Sequence, residues 1–264
     1  MPLRRLFEVL RDRTHRASMA DPSYWDDRAK TRTGFARSVW HSESFSRVWD
    51  ARQQELLVRT LERELFGARG KKLADIGCGT GRITRFLARE GALATGFDFS
   101  PATVDAAREE TAALGLVADF VVADVTSGEL PAEDESFDAA LAIGCLAVAC
   151  RDLSSLERAL GAMARVTKRD GRVILLEPIH ATKLLGRVLH APVSSWVLAG
   201  ERAGLSLVSQ AGMGFVPARL ALSSVDLPAW VVEPAFAFGE IAIDAVGLLA
   251  RTADYRLLVF RRER

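Results

Sequence analysis

Cysteine is scarce in this chain. Three occur among 264 residues: Cys78, Cys145 and Cys150. Their spacing fits neither a disulfide framework nor a metal site, so a reduced, cytoplasmic setting without a metal centre is expected. An excess of charge is also missing: 35 Lys and Arg face 34 Asp and Glu, for a net charge of +1. That balance gives no global field pointing to nucleic acid or to a membrane. Long hydrophobic runs are absent too. The most apolar tract, "PAWVVEPAFAFGEIAIDAVGLLA" over 228–250, contains Pro234 and is broken by Glu233, Glu240 and Asp244. A spanning helix rarely tolerates such interruptions, so no transmembrane segment is expected. The opening "MPLRRLFEVLRDRTHR" lacks the unbroken apolar stretch of a secretory signal. Leu3, Leu6, Phe7 and Leu10 suit one side of a short amphipathic helix packed on the body, in preference to a membrane anchor. Internal repeats and low-complexity segments are likewise absent.

What is present is an ordinary globular composition, 49% hydrophobic and 26% charged, at a length suited to one elaborated domain. Residues 1–70 read as a helical N-terminal cap, rich in aromatics such as Tyr24, Trp25, Trp40 and Trp49. From residue 71 strands alternate with helices. "KLADIG", "ALATGFDF", "LVADFVVADV", "FDAALAIGCL", "RVILLEP", "LSLVSQ" and "YRLLVFRR" are the strands. The helix after the second opens with Ser100 and Pro101 and closes at Gly115. "DLSSLERALGAMARVTKRDG" is a helix starting at a capping Asp152 and ending in basic residues. Apolar strands without strict alternation are covered on both faces. The expected fold is therefore α/β, a doubly wound, seven-stranded, mostly parallel sheet with an antiparallel last strand, over 71–264. Residues 211–254 are too apolar for a disordered loop and read as a helical insertion between strands six and seven. Glu233, Glu240 and Asp244, seven and four apart, are expected on one face of its helix. The apolar remainder suits burial against the core, then a homodimer contact, then a peripheral membrane contact, in that order.

The stretch "DIGCGTGRITRFLA", Asp75 to Ala88, has three glycines in five positions at the first strand-to-helix turn. In an open parallel sheet that turn is the usual ligand site, and the helix behind it offers a partly positive N-terminus. A nucleoside triphosphate loop would carry GxxxxGK[ST], which is missing. A dinucleotide loop would carry GxGxxG, and here the third glycine comes one residue early. Acidic residues decide between the remaining ligands. Asp75 precedes the loop, Asp98 ends the second strand, and Asp124 ends the third. Three carboxylates would repel a pyrophosphate; they suit a sulfonium, an ammonium, ribose hydroxyls and an adenine amino group, as in S-adenosylmethionine (SAM).

These motifs, "LADIGCGTG", "GFDFS", "VADV", "SFDAALAIG" and "KRDGRVILLEP", resemble the class I SAM-dependent methyltransferases, most closely their small-molecule branch, from about Leu73 to Leu207 and again in the final strand. The resemblance implies a role for each matching residue. Gly77, Cys78, Gly79 and Gly81 would line the methionine and adenosyl parts of SAM, and Asp75 would orient the ammonium. Asp98 would take the ribose hydroxyls, with Phe99 against the adenine. Asp124 would accept from the adenine amino group beside the Val125 amide. Ile143 and Gly144 would touch the methionine portion. "SYWDDRA" looks like the segment preceding the core in many relatives, where Tyr24 or Trp25 would close over SAM; helix packing explains them nearly as well. "KRDGR" departs from the Pro-Gly-Gly turn common in the family, far from the site.

Methyl transfer is an in-line displacement that needs alignment, water exclusion and, for phenols and hydroxyls, a general base. His180, just after "LLEP", is the first candidate base and His41 the second. A solvated or capping loop histidine is the other reading of His180. Glu177 either contacts substrate or ends the strand. The implied reaction is methyl transfer to a small hydrophobic or aromatic acceptor at O, N or C. The alternatives are a SAM-binding enzyme of cyclisation or decarboxylation and a methyltransferase-like module serving a partner protein. Nucleic acid is disfavoured as a partner: a basic stripe is absent, as is an Asn/Asp-Pro-Pro-aromatic motif.

Overall fold

A computed structural model describes residues 19–32, 42–180, 189–223, 227–245 and 253–263. The chain enters through α1 (Pro22–Thr31) and α2 (Glu43–Leu65). The α/β part follows as β1 (Lys72–Ile76), α3 (Arg82–Arg89), β2 (Leu93–Asp98), α4 (Pro101–Ala113), β3 (Asp119–Val122) and β4 (Phe137–Ile143). Next come a short α5 (Leu146–Ala149), α6 (Leu153–Val166), β5 (Thr167–Glu177), α7 (Val193–Arg202) and β6 (Leu205–Phe215). Two further helices, α8 (Val216–Ser223) and α9 (Ala229–Ala245), precede β7 (Ala253–Arg262).

The strands form one sheet in the order β3-β2-β1-β4-β5-β7-β6. β7 runs antiparallel between β5 and β6, and the other ladders are parallel, as the sequence suggested. Strand order reverses beside β1, which lies between β2 and β4, and this opens a crevice at their carboxyl ends. Helices cover both faces, so Leu73, Ala74, Asp75 and Ile76 of β1 are all buried. One core joins α6 and α7 to the sheet through Leu160, Met163 and Trp196. A second joins α2, α3 and α9 to the sheet through Leu57, Leu87 and Phe236, and a small third packs α4 on β3 through Val104, Ala107 and Phe120.

Local chemistry explains the helix starts. Ser100 accepts from the Thr103 amide with Pro101 at the first position of α4. Asp152 and Ser155 form a reciprocal capping box at α6. That helix stops earlier than its sequence suggested. Val166 is its last residue, and "TKRDG" joins β5, with Thr167 in register with Phe137 and a left-handed turn at Asp170, φ 58°. β3 ends at Val122, so Asp124 lies beyond it.

The insertion is also shorter than residues 211–254 and holds two helices. Ala211–Phe215 stay on the ladder opposite Ala253–Leu257, so β6 and β7 claim both ends. Gly214 is essential to that extension. It sits at φ 74°, and a Cβ there would lie 2.7 Å from the Trp49 ring. Trp49 and Phe45 of α2 pack edge-on against Phe236 of α9, and Trp49 also meets Tyr255 of β7. Glu233 and Glu240 line the same groove beside α2, as their spacing suggested, but differ in burial. Glu233 is exposed, whereas Glu240 is buried in the row Val232, Phe236, Glu240. Its burial is compensated by Arg52, 2.7 Å away, and by the Gly214 amide, which donates at 3.0 Å. The opposite side of α9 leaves Trp230, Phe238 and Ile241 exposed. Among the described residues no helix is long and apolar enough to cross a membrane.

Candidate functional site

The loop after β1 turns back on itself through three left-handed glycines, with φ of 70° at Gly77, 53° at Gly79 and 80° at Gly81. Side chains rarely adopt such angles, which explains why glycine alternates here. The amides of Gly77 and Cys78 both donate to the Phe97 carbonyl, tying the loop to β2. Gly77 also admits Cys145, since a Cβ would meet its Sγ at 2.0 Å. Gly81 caps α3 in the left-handed conformation.

Two carboxylates lie in this loop's crevice. Asp98 is buried at the end of β2. Its Oδ2 accepts from the Gly79 amide at 2.8 Å, and its Oδ1 from the Ser100 amide and the Thr103 hydroxyl. Asp75 is 1% exposed, and its Oδ2 accepts from the Thr84 hydroxyl at 2.6 Å. Burial raises the Asp75 carboxyl to about 6, and burial also raises Asp98. Both are therefore poised to gain from a cation.

The cleft is lined by Asp75, Gly77, Cys78, Gly79, Asp98 and Phe99 from the loop side. Ile143 and Gly144 line it from β4, and Trp25 from α1. These nine sequence candidates are thus brought together. Gly81 instead faces Phe120 and Ala107 behind the loop. Val125 is buried in the core, and Asp124 is exposed, its Oδ1 accepting from the amide and hydroxyl of Thr126. Tyr24 turns to Arg28, which donates to its hydroxyl at 3.0 Å. Neither Asp124 nor Tyr24 is among the cleft-lining residues. His41 lies outside the described residues.

Sequence reasoning missed several lining residues, including Met19, Arg82, Thr103 and Cys145. Arg82 is the informative one. It directly follows the loop, pairs with Asp50 and donates to Gln53 at 2.9 Å, so α2 is fastened to the cleft. Asp26 fastens α1 in the same way, accepting from the Ser100 hydroxyl and the Ala102 amide at the start of α4. Burial pushes the Cys78 and Cys145 thiols well up, which leaves both unreactive.

His180 stands at the same carboxyl edge, beyond β5. Its Nε2 is 3.0 Å from Oδ1 of the fully buried Asp254, which Arg219 also contacts. Glu177 is fully buried and accepts from the amides of Cys145, Leu146 and Ala147, holding the start of α5. It anchors the turn that carries the Cys145 wall of the cleft.

Sheet order, crevice and glycine loop together define a Rossmann-like α/β methyltransferase fold. A protein-family model described as a methyltransferase domain matches residues 74–175. A demethylmenaquinone methyltransferase of Tropheryma whipplei (strain Twist) is 36% identical over 116 residues, 44% of this chain and 45% of that protein. A ubiquinone biosynthesis O-methyltransferase of Alkalilimnicola ehrlichii is 35% identical over 111 residues, 42% of each. The chain thus spans less than half the length of these curated relatives. Among solved structures, magnesium protoporphyrin IX methyltransferase from Synechocystis PCC 6803 with bound SAH superposes with a TM-score of 0.60 at 17% identity, covering 96% of this chain and 100% of that one. Residues 74–175 thus resemble a methyltransferase domain in sequence, and the chain shares the fold of a solved methyltransferase.

Proposed function

We propose that this chain binds SAM in the glycine-loop cleft and catalyses methyl transfer to a small apolar or aromatic acceptor, with S-adenosylhomocysteine as product. One observation carries the reading: two buried carboxylates, Asp75 and Asp98, line a cleft beside three left-handed glycines. A cationic, hydroxyl-rich ligand satisfies such a donor-hungry site, and a phosphate does not. When bound, SAM supplies an electrophilic methyl on a positively charged sulfur.

The remaining chemistry belongs to the protein. Asp75 holds the ammonium and Asp98 the ribose hydroxyls, its second oxygen keeping the Gly79 amide in position. Phe99 packs against the adenine, and Asp124 accepts from the adenine amino group, beside the Val125 amide. Ile143 and Gly144 support the methionine chain. Trp25, with its indole N–H donated to the Met19 carbonyl at 2.8 Å, closes the mouth and excludes water. The helical segment within 1–70 and the helices α8 and α9 form the acceptor side. His180 is the proton acceptor when the nucleophile is a hydroxyl.

The acceptor class rests on the relatives, two of which act in quinone biosynthesis by name. A quinol or phenol offers an apolar ring with an ionisable hydroxyl, which matches a histidine base near aromatic packing. The test is mass spectrometry of naphthoquinols, catechols and apolar amines incubated with the protein and SAM. A product heavier by one methylene, with S-adenosylhomocysteine released in equal amount, is the expected result. Conversion of the acceptor to an isomer of equal mass, with no SAM consumed, would instead point to a cyclase.

A further inference from the structure

The candidate base does not stand alone, and its supports come from parts of the chain with no visible motif. The ladder register pairs Glu177 with Arg256, which carries the start of β7 alongside the segment after β5. Asp254 is thereby set 3.0 Å from His180 Nε2 through its Oδ1. Asp254 is wholly inaccessible, and the His180 side chain is 11% exposed. From the inserted helix α8, Arg219 closes on the same carboxylate. Its Nε lies 2.9 Å from Oδ2 and its Nη2 3.1 Å from Oδ1, with the side chain 7% exposed. Removing such a pair from water carries a desolvation cost that its mutual attraction often does not exceed. A fold that only needed stability gains little from it, so the arrangement calls for another purpose.

We propose that Asp254 and Arg219 are positioning residues that fix His180 as a neutral imidazole protonated on Nε2, leaving Nδ1 as the proton acceptor. The inference rests on the assignment of His180 as base. A carboxylate only accepts, so the ring nitrogen facing Asp254 carries the hydrogen and the other keeps its lone pair. Charge explains Arg219. A buried carboxylate without a cation would draw a proton onto the imidazole and form an ion pair with it. A ring in that state cannot accept the substrate's proton. Arg219 already supplies the positive charge, so neutral His180 is the compatible form. Among the described residues, the other charged groups on the elements packed there are engaged elsewhere or add to the positive side. Glu177 is held by three amides, Glu240 by Arg52 and the Gly214 amide, and Arg256 is a second cation on β7. Because α8 belongs to the insertion, the acceptor-side helices and the base are joined by one ion pair.

The experiment is imidazole nitrogen NMR on the full chain, with His180→Gln assigning the His180 signals among four histidines. At neutral pH the wild type is expected to give a neutral ring with hydrogen on Nε2. In Asp254→Asn the side-chain amide can donate, and the ring is expected to shift toward the Nδ1–H tautomer. In Arg219→Gln the ring is expected to take up a second proton, and Arg219→Lys should restore the neutral form. Backbone amide spectra report folding in each case. If Arg219→Gln does not fold, the isosteric Asp254→Asn and the charge-keeping Arg219→Lys carry the test. An unchanged tautomer in Asp254→Asn, or a wild-type ring with hydrogen on Nδ1, overturns the proposal. SAM affinity measured on the same samples keeps the two readings apart. Loss of SAM binding in the wild type counts against the proposed function, while the ring signals still judge the positioning device.

Discussion

Asp75 ties cofactor affinity to pH, and its magnitude follows from its burial. With its carboxyl raised to about 6 in the free cleft, Asp75 is ionised at pH 7 and mostly protonated at pH 5. A bound ammonium favours the ionised form, so binding at pH 5 must first release that proton. One unit below the midpoint the protonated form outnumbers the ionised one about tenfold, which weakens SAM by about tenfold, or ~1.4 kcal/mol, between pH 7 and pH 5. The α-amino group of the ligand stays protonated over that range, which isolates the protein's contribution. Calorimetric titration in buffers of different ionisation enthalpy reads both the affinity and the protons released. Asp98 is raised by burial too and adds to the slope, so Asp75→Asn should flatten the profile without levelling it. Superposable profiles for wild type and Asp75→Asn would refute the reasoning. Stability of the free protein has the opposite sense. The folded state binds a proton near pH 6 that the unfolded chain binds only near 3.8, so this group adds stability as pH falls through 6, by up to about 3 kcal/mol. Asp75→Asn should therefore raise the unfolding midpoint at pH 7, with the Thr84 hydroxyl still able to donate to it.

Three further outcomes are expected. Gly214→Ala forces a Cβ to 2.7 Å from Trp49 at a left-handed φ, and should cost about 2–3 kcal/mol in denaturant unfolding. Glu177→Ala strips three amides, two of them in buried bonds, of their acceptor and should cost about 3 kcal/mol, together with weaker SAM binding through the displaced Cys145 wall. Gly77→Ala brings a Cβ to 2.0 Å from Cys145 Sγ; the loop must move, and SAM affinity should fall far more than the melting temperature does.

How much of this was legible beforehand depends on where the information sits in the chain. The strands could be read because both faces of the sheet are covered, so "KLADI" and "FDAALAI" carry no polar alternation. The loop could be read because three left-handed positions leave glycine as the residue of choice. Asp75 and Asp98 were found since each lies on a strand end next to that loop. Asp124 was read by position alone, and its Oδ1 also accepts from the amide and hydroxyl of Thr126 in the turn after β3. The extension of β6 through Ala211–Phe215 lay inside the stretch read as a helical insertion, because Gly212 and Gly214 interrupt the apolar pattern of a strand that pairs along β7. The partners of His180 had no local signal. Asp254 is 74 residues away in sequence and reaches the base only through strand register. The burial of Glu240 had no local signal because its neutralising Arg52 lies on a helix 188 residues earlier.

The central claim is that the glycine-loop cleft is a SAM site built on Asp98 and Asp75. Calorimetric titration of the full chain with SAM, its demethylated product and NADH tests it most directly, beside Asp98→Asn. Binding of SAM and of the product with one ligand per chain, no heat with NADH, and a large loss in Asp98→Asn is the predicted result. Absence of SAM binding by folded wild type, or equal binding by wild type and Asp98→Asn, would contradict it.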